Sequence, residues 1–107
     1  MSNDRNAEFW NLAAPHLAAG RCDEGTMMGN PCLRVKGNFV AMHWSKGGGM
    51  IVKLDQPSVL RHIEAGHGAA FSPNGRVFKE WLAVPESDTA RWEPILAEAI
   101  NLAAARK

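Results

Sequence analysis

The sequence predicts a two-layer α+β fold: an antiparallel sheet of five to six strands with three helices over one face. The expected order is α, three to four strands, α, one or two strands, α, spread over one domain spanning 1–107. Three observations carry this reading. Apolar residues recur at helical spacing near both ends of the chain and again after Asp55. Between Gly20 and Asp55 the period shortens to brief segments divided by turn residues. The connections there, Lys36-Gly37-Asn38 and Lys46-Gly47-Gly48-Gly49, are far too short for parallel crossovers, so the strands must pair as antiparallel hairpins. Grouped strands with helices at intervals give this architecture.

Asp4 or Asn6 can cap a first helix within 5–19, because a short side-chain acceptor satisfies a free N–H of the opening turn. Phe9, Trp10, Leu12, Ala13 and Leu17 supply its apolar positions and Gly20 its stop. Pro15 interrupts the pattern, since proline deletes a hydrogen bond and clashes with the preceding turn. A kink near Ala14, or two helical pieces, is therefore expected. Strands follow at Thr26–Met28, Cys32–Lys36, Asn38–Trp44 and Met50–Leu54. Leu33 and Val35 alternate with Arg34 and Lys36, the pattern of a sheet with one wet face. Asp55-Gln56-Pro57 opens a second helix with proline in its first turn, and Gly66 ends it. Phe71-Ser72-Pro73-Asn74-Gly75 reads as loop and turn. Val77–Val84 makes the last strand, with Phe78, Glu80, Leu82 and Val84 opposite Val77, Lys79, Trp81 and Ala83. Ser87, Asp88 or Thr89 caps a final helix reaching about Ala104, lined by Trp92, Leu96, Ala99, Ile100 and Ala103. Pro94 requires that this helix begin within a turn of it.

Composition excludes several classes. Hydrophobic residues make up 46% and charged residues 21% of the chain, which is too apolar and too evenly charged for a disordered segment. The net charge of +1, from 12 basic and 11 acidic side chains, gives no broad electrostatic footprint for phosphate. No apolar run approaches the ~20 residues of a membrane span, and Met1–Glu8 lack a secretory pattern. Cys22 and Cys32 form neither a metal spacing nor a disulfide framework. They read as reduced thiols, and the expected location is the cytoplasm, with no membrane partner.

No catalytic constellation emerges. His62 and His67 are five apart and separated by Gly66, whereas residues sharing a helical face are three or four apart. His16 and His43 lie on other elements, and no carboxylate or thiolate cluster accompanies any histidine. A structural metal site shows paired ligands at short spacing, so no metal and no cofactor is expected. Ser45-Lys46-Gly47-Gly48-Gly49 resembles a phosphate loop only superficially, because its lysine precedes the glycines and a strand follows. Asp23-Glu24 and Asp88 sit beside turns, and Glu93 and Glu98 on a helix surface, where nothing pairs them for proton transfer.

Two binding surfaces can be assembled from the residues. Met28, Trp44 and Trp81 form a candidate apolar patch for a partner, since methionine lines adaptable surfaces; packing into the core is the competing role. Arg34, Lys36, Lys46 and Lys53 form a candidate basic face on the hairpins, with Arg76 and Lys79 nearby, suited to a nucleic-acid backbone. Charge on the wet side of a sheet also arises from solubility alone.

The stretch Gly25-Thr26-Met27-Met28-Gly29-Asn30-Pro31-Cys32-Leu33-Arg34-Val35-Lys36-Gly37 resembles the opening of the TfoX N-terminal domain family. Met27, Gly29 and Gly37 match its pattern, while Met28 replaces the usual aromatic and Asn30 the second glycine. Ile51-Val52-Lys53-Leu54-Asp55 looks like the family's strand-to-helix junction, Phe71 like its aromatic after the second helix, and Trp81 with Val84-Pro85 like its aromatic-x-x-Val-Pro segment. The likeness covers roughly 5–105, and the MmcQ/YjbR-like group shares the layout. It implies a two-layer fold of helices against an antiparallel sheet, and a role beside other transcription factors in regulating gene expression. No counterpart of the C-terminal domain of full-length members lies in these residues, and the family supplies no catalytic residues. Together these readings lead to a non-enzymatic module that binds a protein partner, within transcriptional regulation. Nucleic-acid binding through the basic face, and a small-molecule site or cryptic enzyme between sheet and helices, are the alternatives. Homodimerisation stays open.

Overall fold

A computed structural model of the protein describes residues 5–27, 29–44, 49–72 and 75–105. Helix α1 (Arg5–Ala18) leads into strands β1 (Asp23–Met27), β2 (Asn30–Val35), β3 (Asn38–His43) and β4 (Met50–Lys53). Helix α2 (Gln56–Glu64), strands β5 (Ala69–Phe71) and β6 (Phe78–Val84), a short 3₁₀ helix (Glu86–Arg91) and helix α3 (Trp92–Ala105) follow. The six strands form one sheet in the order β1-β2-β3-β4-β6-β5, and every neighbouring pair is antiparallel. The α+β class, the three helices and the strand grouping are those read from the sequence.

The core lies between the sheet and the helices. Phe9 and Ala13 of α1, Val59 of α2 and Trp92, Ile95, Leu96, Ala99, Ile100 and Ala103 of α3 pack onto Leu33, Val35, Val40, Ala41, Met50, Val52, Leu82 and Val84. The α3 positions fall three and four apart, so one side of that helix is apolar throughout. Each large side chain buried there is worth about 1.5–3 kcal/mol relative to exposure. The Trp92 indole N–H also finds an acceptor, the Pro85 carbonyl at 3.2 Å, as a buried indole requires.

Turn chemistry sets the register. Lys36 and Gly37 both have positive φ, 55° and 82°, and Val35 pairs with Asn38 across them, which is a two-residue type I′ hairpin. Between β2 and β3 the register slips by one at Leu33/Arg34. Val40 is the extra residue of that bulge, so Val40 and Ala41 both face the helices.

Several expectations change. Helix α1 runs unbroken through Pro15. Proline removes one N–H in the exposed last turn, a local loss outweighed by the continuous buried stripe of Phe9, Ala13 and His16. Ser87, Asp88 and Thr89 do not cap α3; they lie in the 3₁₀ helix, and α3 begins at Trp92 with Pro94 in its first turn. Asp23 and Glu24 belong to β1, and Phe71 belongs to β5. A second register slip, between Ala70 and Phe71, breaks the alternation of β6, so Phe78 joins Trp81 away from Leu82 and Val84. Asp4, the 45–48 turn and Pro73-Asn74 lie outside the described residues.

Candidate functional site

The side of the sheet turned away from the helices is the principal departure from the sequence reading, which expected it to be wet. It carries a second apolar cluster: Cys32, Phe39, Met42, Ile51 and Phe71 are buried, with Met27, Trp44, Phe78, Trp81 and Ala83 packed against them. Among the described residues, no helical one contributes to it. The pleat explains the membership. Cys32 pairs with Met42 and Met42 with Ile51, which in turn pairs with Ala83, so these four share one side. The bulge at Val40 returns Phe39 to that side, and Trp81 stands two residues before Ala83.

Aromatic rings close the cluster over. Phe39 stacks on Trp81 with centroids 4.5 Å apart, and Phe78 stacks on Trp81 at 4.8 Å. Phe71 stacks on Phe78 at 5.7 Å and on Trp81 at 5.6 Å, and meets Trp44 edge-on at 5.0 Å. These separations are those of favourable aromatic pairs, each worth about 0.5–1.5 kcal/mol beyond burial. Phe71 is thus the hub, touching Trp44, Phe78 and Trp81. Trp44, Phe78 and Trp81 keep part of their surface in solvent, while the guanidinium of Arg76 lies 5.5 Å from the Phe78 ring centre, within cation–π range.

Trp44 and Trp81 both contact Phe71. Met28, the third residue of the candidate patch, lies outside the described residues; its neighbour Met27 packs against the cluster. Of the basic candidates, Lys46 also lies outside them. Arg34 donates to the carbonyls of Thr26 at 2.6 Å and Gly37 at 2.8 Å. Lys53 sits 3.8 Å from Glu80. Lys36 points to the far end of α3, 3.4 Å from the Ala104 carbonyl. These three side chains do not converge. Phe39, Phe71 and Phe78 were not assigned to the patch from sequence, and Phe71 entered only as a loop residue and as the aromatic of the family resemblance. The available signal was the unbroken apolar run Phe39-Val40-Ala41-Met42, which marks a strand buried on both sides.

The histidines also depart from expectation. Nδ1 of His62 lies 2.9 Å from Nδ1 of His67, and Nε2 of His62 lies 2.8 Å from a Glu98 carboxylate oxygen. The i,i+5 spacing succeeds because α2 ends in a Schellman turn. Gly66, at φ 81°, donates its N–H to Ile63, and His67 donates to the His62 carbonyl at 2.9 Å. That closure brings the side chains at these two positions together. Arg61 pairs with the same Glu98 at 3.2 Å, and His16 approaches Glu93 at 3.7 Å. Desolvation, then Arg91 and His62, hold His67 below the ordinary histidine pKa, with Asp88 opposing. Among the described residues no group of three His, Cys, Asp or Glu side chains is arranged to hold a metal ion.

Burial raises the pKa of both thiols. Asp23 adds to the rise at Cys22, and the Arg34 guanidinium, also a hydrogen-bond donor, partly offsets it at Cys32. Both therefore hold little thiolate at neutral pH. A depression of about 410 Å³ lies between Arg21, Cys22, Lys36 and the end of α3. Its two cations are engaged, Arg21 with Asn101 at 2.6 Å and Lys36 with Ala104. No described helix is long and apolar enough to cross a membrane. Comparison with family models, curated proteins and solved structures finds no match.

Proposed function

We propose that the protein is a non-enzymatic, TfoX-N-like binding module that receives a protein partner on the helix-free side of its sheet. The reading extends to a place in transcriptional regulation, which rests on the family resemblance alone. The observation that carries the binding role is the second apolar cluster. A side of a sheet that only met water would be polar, whereas this one holds five aromatic rings with Trp44, Phe78 and Trp81 at its solvent boundary. Aromatic anchors, here with Arg76 beside Phe78, are enriched at protein-binding centres.

A protein suits this surface better than a nucleic acid. The broad face of Trp81 is occupied by its neighbours at 4.5 and 4.8 Å, which leaves ring edges for a partner, whereas bases stack on open ring faces. The basic side chains also lack a shared direction. The test is affinity capture from nuclease-treated extract of the native cell, with wild type and Trp44→Ala in parallel. A specific protein retained by wild type and lost from a folded Trp44→Ala variant is the expected result. Capture that disappears on nuclease treatment, or persists unchanged in the variant, overturns it.

A further inference from the structure

The histidine pair at the end of α2 joins three elements. His62 belongs to α2, Glu98 to α3, and His67 to the loop that feeds β5. An ionised carboxylate accepts hydrogen bonds and cannot donate them, so the Glu98 contact assigns the His62 proton to Nε2. In neutral His62 the Nδ1 is then a bare acceptor, and the bond across 2.9 Å is donated by Nδ1–H of His67. One proton added to either ring leaves this bond intact, because the other ring can keep a bare Nδ1 as acceptor by carrying its own proton on Nε2. A second proton, on the remaining neutral ring, removes the acceptor. Two N–H groups then face each other on two cations, and the bond is replaced by repulsion.

What the bond holds is β5. His67 stands two residues before Ala69, and Gly68 between them packs directly beneath the Ala83 carbonyl, where no side chain fits. β5 is a three-residue edge strand paired only with β6, and it carries Phe71, the hub of the aromatic cluster.

We propose that the His62–His67 pair is a proton-operated latch that fastens the loop before β5 to α2 and α3, and that the second proton releases it and loosens Phe71. The latch stands on this geometry whatever the aromatic surface binds. The charged groups around it come from every adjoining element. Arg61 and Glu98 face His62 from α2 and α3, paired at 3.2 Å. Arg91 and Asp88 of the 3₁₀ helix act on His67, paired at 2.7 Å. β5 brings no titratable side chain. The depressed pKa of His67 is consistent with a pair that resists charging near neutrality.

Native-state hydrogen exchange at the amides of Ala69–Phe71, followed by NMR from pH 8 to pH 5 and divided by intrinsic rates, tests the latch. Imidazole ¹⁵N shifts report the protons in the same samples. Protection at β5 should fall at least tenfold as the second imidazole charges, while the amides of α3 from Leu96 to Ile100 hold. In His67→Ala the β5 amides should be weakly protected at every pH. Glu98→Gln, which removes the carboxylate in contact with the pair, should move the midpoint to lower pH. Loss of α3 protection in parallel, or an unchanged profile in either variant, overturns the proposal.

Discussion

Arg34 crosses above Gly25 to donate to the carbonyl of Thr26 at 2.6 Å. Thr26 lies opposite Pro31, which has no N–H, so this pair cannot exchange hydrogen bonds and the Thr26 carbonyl points outward from the sheet. β1 is an edge strand, and outward carbonyls on an edge invite another strand. The guanidinium takes that acceptor for itself. Gly25 makes the crossing feasible, since a Cβ there would sit 2.7 Å from both Cδ and Nε of Arg34.

Gly25→Ala should therefore dislodge Arg34 and uncover the edge. The expected cost in stability is about 1–3 kcal/mol, since the displaced guanidinium gives up its bonds to both Thr26 and Gly37. The larger effect is association, read as a concentration-dependent rise in sedimentation coefficient. Arg34→Ala should reproduce it with Gly25 intact.

At the β2–β3 hairpin, Lys36 occupies a left-handed conformation at φ 55°, which costs a side chain with a Cβ about 1–2 kcal/mol. Asparagine tolerates this region far better. Lys36→Asn should stabilise the protein by roughly 0.5–1 kcal/mol, since the contact given up with Ala104 spans 3.4 Å. Urea denaturation should show a higher midpoint with an unchanged slope.

Within the aromatic cluster, Phe71 and Trp44 should separate stability from surface. Phe71 is buried at the hub, so Phe71→Ala should cost about 3–5 kcal/mol by leaving a cavity. Trp44 makes one edge contact with it and stays partly in solvent. Trp44→Ala should cost well under half as much, which makes it the variant for binding experiments. Equal losses in denaturation would show that Trp44 is packed as core.

The depressed pKa of His67 gives stability a definite pH slope. Below the ordinary histidine value of about 6.5 the unfolded chain binds a proton that the folded chain resists, so folding weakens as pH falls through that window. Above it the contribution is complete. Denaturant midpoints at pH 5.5 and 7.5 should differ more for wild type than for His67→Gln.

Much of the helical layer could be read directly from residue spacing. Trp92, Leu96, Ala99, Ile100 and Ala103 are buried together as their spacing requires, because α3 meets the sheet on one side only. The opposite side of the sheet was hidden by two register slips. One added residue at Val40, and ahead of Phe71 a jump of the partner from Leu82 to Phe78, three residues beyond regular pairing, each reverse which neighbours share a side, and alternation counted along one strand cannot register that. Phe78 was misplaced for this reason. The histidine pair was hidden for another: periodicity within α2 separates His62 from His67, and only the reversal at Gly66 rejoins them. The meeting of Trp44 with Trp81 depends on Phe71, which the sequence presented as loop.

The strand order has a consequence for synthesis on the ribosome. β1 to β4 are made in succession and each can pair with its predecessor as it emerges, but the free edge of β4 waits for β6. Met50-Ile51-Val52 is an apolar run, and its outer edge stays unpaired while α2, β5 and the following loop are translated. β5 cannot cover it, because β5 joins the sheet only through β6. A nascent chain stalled before Phe78 thus displays an adhesive strand edge, the feature that recruits holding chaperones or other stalled chains. Helix α3, translated after β6, closes the other side.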